Sequence, residues 1–487
     1  MNSKRIRIFA LGVVLALMFS GVAAPLFVRP AAAVAPTSLS DLHGPYVDTI
    51  IGEVITGEDQ EALALLSNEI DMIGEQMDPQ YVNELLADSD IKMFSTDRLG
   101  YGLTILPCDQ YPWNYTEFRQ AFAYTLDKEE GVQDIWYGYA SAQDSIIPSS
   151  QPTWTYEDDL PDHYYTQDLT KAFARMLDAG FVNDSHAATY EGDTHSWWWR
   201  GPHNETLEVE FWASTESGIA LAYGDLIAQN LRDMHVKAKP VSVSFNTWLP
   251  MMANHTLTDP VFLGNSLPTD PDWIYYELHS DWITEDWYNA ASFSNATMDA
   301  LLEQMLVESN LTKLEEIVDK VQLIAWQECP WVLVYMNKIL SFARDDDWTG
   351  HINSKGEGTF EYWGRVKTAP KLGGAEDPDG DGFGGILRIN LPTDIDSRNY
   401  LTTTSGYSDD ILGVVYESLV RQDPYSLEDV PGLAWNWTVA LNEATNMTEI
   451  TLDLFNNVTW HDGEVFDAND VNFTVYYLRD NGGHNWA

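Results

Sequence analysis

Apolar residues recur along this chain with two different periods, and each period predicts a different kind of element. Residues 114–130 place Phe118, Phe122 and Thr125 at the spacing of one face of an amphipathic helix. Gly131 follows the last turn, where glycine commonly ends a helix. The pattern therefore predicts a single helix over residues 114–130.

A strand–helix–strand succession lies further along the chain. Residues 207–212 alternate strictly between apolar and polar, residues 219–234 have the helical period, and residues 236–243 are again extended in pattern. This order implies a parallel crossover in which the helix covers a sheet. The chain is therefore expected to build an α/β fold.

Other segments complete the expected order of elements. Residues 183–205 are polar around Trp197, Trp198 and Trp199, which favours a surface hairpin or loop with indoles packed on one another. The remaining predicted elements are strands at 46–55, 91–106, 330–335 and 387–389, and helices at 58–67, 79–87, 168–180, 245–254, 298–307 and 313–327.

The composition indicates an ordered and strongly acidic protein. Its 487 residues, 45% hydrophobic and 13% aromatic, are enough for two or three lobes with cores of their own. Aspartate and glutamate number 75 against 26 lysines and arginines, a formal charge of −49. Nucleic-acid binding needs a basic surface, so the composition excludes a nucleic-acid partner.

Residues 1–36 have the pattern of a signal peptide. Lys4, Arg5 and Arg7 precede a mostly apolar stretch, and small residues around Ala33 offer a cleavage site. An uncleaved anchor is the alternative, because about 20 apolar residues can span a bilayer. Both alternatives place the rest of the chain outside the cytoplasm, secreted or on the cell surface.

Several asparagines stand in the N-x-S/T pattern that is glycosylated outside the cell. Cys108 and Cys329 are either a disulfide pair of an oxidising compartment or two buried thiols. The candidate glycosylation sites are Asn204, Asn254, Asn295, Asn310, Asn446 and Asn457.

Residues 373–385 are rich in glycine and aspartate and predict a linker. Asp377, Asp379 and Asp381 place carboxylates at every second position, a spacing that can wrap Ca²⁺. The twelfth position of such a loop is Arg388 where the full motif has glutamate. A solvated acidic linker without a metal is therefore the competing interpretation.

Motifs across the chain resemble a known family, the extracellular solute-binding proteins of the peptide and nickel type (family 5), which serve ABC importers. The similarity extends over most of the chain beyond the signal segment. The motifs are Arg119-Gln120-Ala121, Asp127-Lys128-Glu129, Thr269-Asp270-Pro271-Asp272-Trp273, Tyr416-Glu417-Ser418-Leu419-Val420, Pro431-Gly432-Leu433-Ala434 and Trp460-His461-Asp462-Gly463.

The resemblance implies an α/β fold with two lobes, of the periplasmic-binding-protein type with an extra small lobe. Here its segments stand in permuted order, and part of the small lobe has no counterpart. Two explanations stay open: the second piece completes the first within one molecule, which we favour, or the chain is a cut from a tandem array. The expected segments are a main-lobe segment at 45–130, a second lobe at 131–345, a return to the main lobe at 346–366, the linker at 373–385 and a segment of the family's N-terminal type at 386–487.

The resemblance also implies a function and a site. Members bind a small solute, such as an oligopeptide, by closing two lobes around it, and pass it to a membrane ABC permease. Neither a resident cofactor nor a nucleic acid belongs to this activity. The residues expected at the solute are Trp273, Asp270, Asp272 and Tyr275, together with Tyr407 and Ser405 from the second piece.

One departure from the family bears on the solute. Peptide-binding members carry an acid just before the Asp-Pro turn, and this chain has Leu267 and Pro268 there. A saccharide stacked on indole faces is therefore a rival to a peptide with a charged amino end.

Enzyme motifs are missing from the sequence, including His-Glu-x-x-His, Gly-x-Ser-x-Gly and the phosphate-binding loop. We expect a protein that is not an enzyme. A cell-surface glycoprotein or adhesion module that uses a degenerate binding-protein fold is the remaining alternative.

Overall fold

A computed structural model describes residues 44–481, apart from residues 187, 216, 286, 396, 401–402, 404–405 and 443–446. The predicted signal segment, Ser405 and Asn446 thus lie outside the described residues. The chain divides into two compact units. The first contains residues up to Thr96 and from Ile339 onward, and the second contains Asp97–Lys338.

The helices of eight or more residues follow the periodicity of the sequence closely. In chain order the helices are α1 (Glu58–Leu66), α2 (Val82–Leu85), α3 (Thr116–Thr125), α4 (Lys128–Asp134), α5 (Leu169–Asp178), α6 (Gly218–Asp233), α7 (Phe245–Ala253), α8 (Trp273–Leu278), α9 (Ala296–Met305), α10 (Leu311–Glu328), α11 (Tyr362–Lys367), α12 (Gly406–Leu412) and α13 (Ala468–Asn481).

Both units also contain strands. In chain order they are β1 (Thr49–Val54), β2 (Ile91–Asp97), β3 (Gly100–Ile105), β4 (Ala140–Ala142), β5 (Val182–Asp184), β6 (Ala188–Tyr190), β7 (Asp193–His195), β8 (Trp198–Arg200), β9 (Glu208–Ser214), β10 (Lys237–Val243), β11 (Val261–Ser266), β12 (Trp331–Arg344), β13 (Trp348–Thr349), β14 (Ala369–Pro370), β15 (Ile386–Leu391), β16 (Val420–Gln422), β17 (Asp429–Pro431), β18 (Ala434–Asn442) and β19 (Met447–Leu454).

The second unit is built on a mixed sheet. Its strands follow the order β10-β9-β11-β3-β12, and β4 pairs with β12. Strands β9 and β10 are parallel and joined by α6, which confirms the predicted crossover. Strand β3 is antiparallel to both β11 and β12. Aromatic residues of α3, including Phe118 and Phe122, pack in the core of this unit.

The helix predicted over residues 114–130 is wrong in its extent. Leu126 has extended backbone, with φ −72° and ψ 134°, so α3 ends at Thr125 and α4 begins at Lys128. The Asp127 carboxylate caps α4 by accepting the N–H of Glu130 at 3.0 Å. Gly131 lies inside α4, and it does not end a helix as predicted.

The polar segment at 183–205 forms two small antiparallel pairs, β5 with β8 and β6 with β7. Its indoles pack on one another as predicted, because Trp197 and Trp199 meet edge to face at 4.9 Å. Trp199 is 5% exposed and donates its indole N–H to the carbonyl of Met234 at 2.8 Å.

Strand β12 is much longer than the predicted strand at 330–335. It has 14 residues, and all but one are buried. Asn337 and Lys338 interrupt the apolar run in the sequence, which hides the continuation of the strand. Asn337 is buried and donates to the carbonyl of Lys338 at 3.1 Å, and Lys338 pairs with Asp97 at 2.6 Å.

In the first unit, β15 pairs in parallel with β1, from Thr49 opposite Ile386 to Val54 opposite Leu391. This confirms that the segment after the linker shares a sheet with the segment that follows residue 45. On its other side, β15 meets Met72, which also bridges to Ala343 of β12. Strand β15 is therefore internal, and Leu387 and Ile389 are fully buried in the core of the unit.

An ion pair and a close backbone approach fix β15 in its register. Asp71 is 2% exposed; its carboxylate accepts the backbone N–H of Arg388 at 2.7 Å and lies 2.6 Å from the Arg388 guanidinium. Gly74 N–H donates to the Asn390 side chain at 2.6 Å. A Cβ at position 74 would lie 2.1 Å from the Asn390 carbonyl oxygen, so only glycine fits there.

The rest of the tail forms two hairpins and the helices α12 and α13. Strand β16 pairs with β17, and β18 pairs with β19, both antiparallel. Within the described residues, no helix is long and apolar enough to cross a membrane. Cys108 and Cys329 are not bonded to each other; Cys329 is buried, whereas Cys108 is half-buried.

Candidate functional site

In the second unit, the end of β11 and the start of β3 meet at one edge of the sheet. Ser266 stands opposite Gly100 in the antiparallel register. The next residue, Leu267, is buried and donates its N–H to the Leu99 carbonyl at 2.7 Å. The chain then turns through the predicted site residues Asp270 and Asp272 into α8.

Arg98 reaches this edge from the turn between β2 and β3. Its Nε and Nη2 donate to Ser266 Oγ at 3.2 Å and 3.0 Å. Its backbone N–H donates to the Asn337 carbonyl at 3.0 Å, which holds the turn against β12. The guanidinium is half-buried, and loss of hydration lowers the pKa of Arg98. The sequence analysis did not single out this residue.

Asp270 and Asp272 lie together in the turn that follows. The backbone N–H of Asp272 donates to the Asp270 carboxylate at 3.0 Å. Desolvation and the neighbouring Asp270 raise the pKa of Asp272 to about 7, although its side chain keeps contact with solvent. Neither acid forms an ion pair with any residue that the structure describes.

The two predicted aromatic residues of α8 have different surroundings. Trp273 is half-buried and lies parallel to the buried Trp331, with 6.1 Å between the ring centroids and 2° between the planes. Tyr275 packs edge-on against Tyr276 at 5.2 Å and near His279 at 4.8 Å. Trp273 thus keeps part of its indole accessible, whereas Tyr275 belongs to an aromatic cluster.

Glu277 is a further residue of α8 that the sequence analysis did not single out. Burial raises the pKa of its carboxyl to about 7. Desolvation, and after it the charge of Glu277, raises the pKa of Tyr101 and of Tyr288, so the three side chains share one environment. Glu277 forms no ion pair within the described part of the chain.

The predicted site residue of the tail that can be described is Tyr407, in α12 of the first unit. It is 38% exposed. Desolvation and the carboxylates of Glu75, Asp410 and Glu61 raise its pKa. Glu61 is fully buried, and burial with the adjacent Glu75 raises its pKa to about 9, so its carboxyl is protonated at neutral pH.

The first unit also contains open pockets of about 240 Å³ and 320 Å³, and Tyr362 lines both. Arg421 lies over the Tyr362 ring at 3.3 Å in the smaller pocket. Neither pocket is lined by Tyr407 or by any aspartate of the linker.

The three linker aspartates do come together. One carboxylate oxygen from each of Asp377, Asp379 and Asp381 lies within 4.8 Å of the others. Asp377 is buried and accepts backbone N–H groups from Gly380, Asp381 and Gly382 at 3.0–3.1 Å. Burial raises the pKa of Asp377, but hydrogen bonds from the backbone N–H groups of Gly373, Gly382 and Gly380 and from the Asp379 side chain outweigh that effect and hold it below the usual value. Arg388, at the twelfth position of the loop motif, pairs with Asp71 and not with the linker aspartates.

A second group of metal-type side chains, Asp144, Glu157 and His163, lies inside the second unit. Lys128, which is fully buried, forms a short ion pair with Asp144 and donates to the Gln143 carbonyl at 2.9 Å. Lys128 neutralises Asp144, and the Glu157 carboxylate accepts the backbone N–H groups of Asp144 and Ser145, so we assign this group a structural role. It explains the Asp-Lys-Glu motif of the sequence as a buried ionic link.

The candidate glycosylation sites differ in accessibility. Four have exposed side chains: Asn204, Asn254, Asn310 and Asn457. Asn295 is half-buried, and its carboxamide oxygen caps α9 by accepting the N–H groups of Thr297 and Met298. Asn446 lies outside the described residues. Glycosylation stays a prediction at all six positions.

Comparison with known proteins decides the family. The family model of the bacterial extracellular solute-binding proteins, family 5 (middle region), matches residues 41–285, which is half of the chain. The protein belongs to this family. The resemblance seen in the sequence motifs is thereby confirmed.

Curated proteins match the chain at low sequence identity. The heme-binding protein A of Haemophilus influenzae is 23% identical over 52% of this chain and 42% of its own length. The peptide transport periplasmic protein SapA of Salmonella typhimurium is 24% identical over 59% of this chain and 48% of its own. The chain thus spans about half the length of the curated relatives it matches.

A solved structure supports the fold. The oligopeptide-binding protein AppA of Bacillus subtilis, in complex with a nonapeptide, superposes with a TM-score of 0.54 at 16% identity. The similarity covers 65% of this chain and 59% of that one. The two-lobe α/β fold of family 5 binding proteins, expected from the motifs, is confirmed.

For this family 5 protein, Glu277 generates a prediction about pH. The folded state holds the Glu277 proton up to about pH 7, whereas the unfolded chain releases it near 4.5. Ionising the buried carboxyl therefore destabilises the fold, so the free energy of unfolding falls as the pH rises from about 4.5 to 7. Glu277→Gln should make this dependence shallower and be more stable than wild type at pH 8 by about 1–3 kcal/mol.

The measurement is denaturant unfolding of both proteins at pH 4.5, 6 and 8. Glu129→Gln, with an exposed side chain in α4, is the matched control and should leave the pH dependence unchanged. If the Glu277→Gln variant follows the wild-type curve at every pH, the prediction is wrong, and the Glu277 carboxyl has the pKa of a fully hydrated glutamate.

Proposed function

We propose that the protein is an extracytoplasmic receptor that binds a peptide-like solute and delivers it to a membrane ABC permease. The observation that carries this proposal is the family match over residues 41–285, which includes the loop at Leu267 and the aromatic helix α8. The acidic composition and the apolar N-terminal segment support a location outside the cytoplasm. The family comprises binding proteins, and we propose no catalytic activity.

Binding is proposed to proceed by hinge closure. A solute that touches both lobes only in the closed state binds that state more tightly, so it shifts the equilibrium toward closure. Trp273 suits a solute because its indole is rigid, amphipathic and still partly accessible. The stacked, buried Trp331 holds it in place.

The chemistry near Leu267 bears on the class of solute. Leu267 is 7% exposed and apolar, so it offers no partner for the ammonium group of a free peptide. The next acids along the chain are Asp270 and Asp272, and the Asp270 carboxylate accepts the backbone N–H of Asp272. An oligopeptide held through other groups is our first candidate, and an oligosaccharide stacked on Trp273 is the alternative.

The receptor proposal predicts a ligand-dependent gain in stability. A solute that binds only the folded protein should raise the melting temperature as its concentration rises. The test is a thermal-shift screen of peptide and oligosaccharide mixtures. Trp273→Ala should weaken binding of any active mixture about tenfold while leaving the ligand-free melting temperature nearly unchanged, because the indole is only half-buried.

Tyr137→Ala removes another exposed aromatic side chain, far along the chain from the site, and serves as the control. If Trp273→Ala binds as tightly as wild type, Trp273 does not contact the solute. A screen in which nothing stabilises the wild-type protein would contradict the receptor proposal itself.

We also propose that the linker loop binds Ca²⁺ through Asp377, Asp379 and Asp381. The clustered carboxylate oxygens are the kind of ligand that this ion prefers. Added Ca²⁺ should raise the unfolding temperature, a chelator should reverse the gain, and Asp379→Ala should abolish it. Glu69→Gln, an exposed acid in the same unit, should respond like wild type. Equal melting temperatures with Ca²⁺ and with chelator would exclude the metal.

A further inference from the structure

Arg98 is a cation without an acidic partner in a protein where acids outnumber bases by 75 to 26. Other arginines in the second unit pair with carboxylates: Arg232 with Asp193, and Arg200 with Asp184. Within the described residues, no carboxylate comes within ion-pair distance of Arg98. Its side-chain partner is the neutral hydroxyl of Ser266.

The guanidinium is held in one orientation by its contacts with β11. Nε and Nη2 both donate to Ser266 Oγ, so this edge of the planar group faces the strand. Nη1 lies over Gly264, and a Cβ added at position 264 would lie 3.2 Å from this nitrogen. The absence of a side chain at 264 thus leaves the room that Nη1 occupies.

Within the described residues, no hydrogen bond engages the remaining N–H donors of Arg98. A guanidinium carries five N–H donors, and the Ser266 contacts engage one on Nε and one on Nη2. The other N–H groups of Nη1 and Nη2 form the fork that binds an oxyanion with two parallel hydrogen bonds. The side chain is only half-buried, so a solute can reach this fork.

A purely structural role explains less of this arrangement. A clip between the β2–β3 turn and β11 needs only the Ser266 contacts, and a neutral side chain can make such contacts. An arginine also has to lose hydration here with no carboxylate in compensation, which is unfavourable unless the charge is used. Loss of hydration indeed lowers the pKa of Arg98.

The position of Arg98 ties it to the candidate solute site. Leu99, the next residue, accepts the N–H of Leu267, and the chain proceeds from there to Asp270 and Trp273. Ser150 Oγ donates to the Arg98 carbonyl at 2.7 Å, which fixes the backbone of the turn. The guanidinium therefore stands on a rigid edge at the start of the loop that carries the predicted ligand residues.

We propose that Arg98, positioned by Ser266, binds a carboxylate of the solute, so that the receptor selects anionic solutes. This inference rests on the proposed receptor function and adds the class of ligand. The carboxylate belongs either to the carboxyl terminus of a peptide or to an acidic side chain. Both sources present the same planar oxyanion to the fork.

The experiment uses the full chain and mixed-sequence pentapeptides in a binding assay. One pair of mixtures differs only in a free or amidated carboxyl terminus, and a second amidated pair carries a fixed Glu or Gln at its centre. A neutral maltooligosaccharide is the uncharged probe. The proteins are wild type, Arg98→Gln, Arg98→Lys and Ser266→Ala, with Arg175→Gln as the control that removes an exposed arginine of the same unit.

Wild type should bind at least one carboxylate mixture 10- to 100-fold more tightly than its uncharged counterpart, the range for a charge-assisted hydrogen bond. Arg98→Gln should bring the two members of that pair to equal affinity. Arg98→Lys should show a smaller loss, since it keeps the charge without the fork, and Ser266→Ala a severalfold loss. Arg175→Gln should behave as wild type. The pair that discriminates identifies the source of the carboxylate.

Equal affinity of wild type for both members of each pair would overturn the inference while leaving the receptor function intact. Binding of the saccharide alone would do the same. If no probe binds, the inference falls together with the proposed function. If Arg98→Gln does not fold, Arg98→Lys is the deciding variant. If Arg98→Lys discriminates between the carboxylate and amide mixtures as well as wild type does, the proposal is also overturned.

Discussion

The parallel pairing of β1 with β15 is the contact on which the first unit depends. The two strands are more than 300 residues apart in sequence, and their ladder joins Thr49–Val54 to Ile386–Leu391. Because β15 also meets Met72, it has neighbours on both sides, and its residues Leu387 and Ile389 are fully buried. Without β15, the apolar side chains of Val47, Met72 and Trp348 would lose the core that covers them.

The pairing of β1 with β15 bears on the reversed order of the family motifs. A strand of the segment that resembles the family's beginning lies inside the sheet of the segment that resembles its later part. The chain therefore completes one unit from two pieces that the linker at 373–385 separates.

The scarce basic residues are mostly used to hold such connections. Arg388 fixes β15 to Asp71, and Lys128 links α4 to Asp144 inside the second unit. Arg344 donates to the Leu65 carbonyl and pairs with Asp346. Arg98 departs from this use, and that contrast gives its proposed role in solute binding its weight.

The local elements were predictable from sequence because they depend on neighbours in the chain. The period of residues 207–243 predicted the β9–α6–β10 crossover, and the pairing of β15 was predicted from the family motifs. The break at Leu126 was not, because a capped helix restart at Asp127 leaves the apolar period intact. Strand β12 continued past Asn337 and Lys338, whose polarity is satisfied by contacts that the pattern does not show.

The candidate site was predictable only in part, for a similar reason. Motif resemblance selected Trp273 and the Asp-Pro turn. Arg98 and Glu277 are single residues in unremarkable sequence contexts, and what sets them apart is that neither forms an ion pair with any residue that the structure describes. No periodicity or spacing signals a missing contact, although the excess of acids over bases could have prompted a search for unpaired arginines.

Hydrogen exchange of the backbone amides tests the central claim most directly. If β15 completes the first unit, the interior amides of β15 should be protected and should exchange with the same opening free energy as those of β1. They should lose protection together as denaturant is added. Rapid, unprotected exchange across residues 386–391, while the amides of β12 stay protected, would contradict the account.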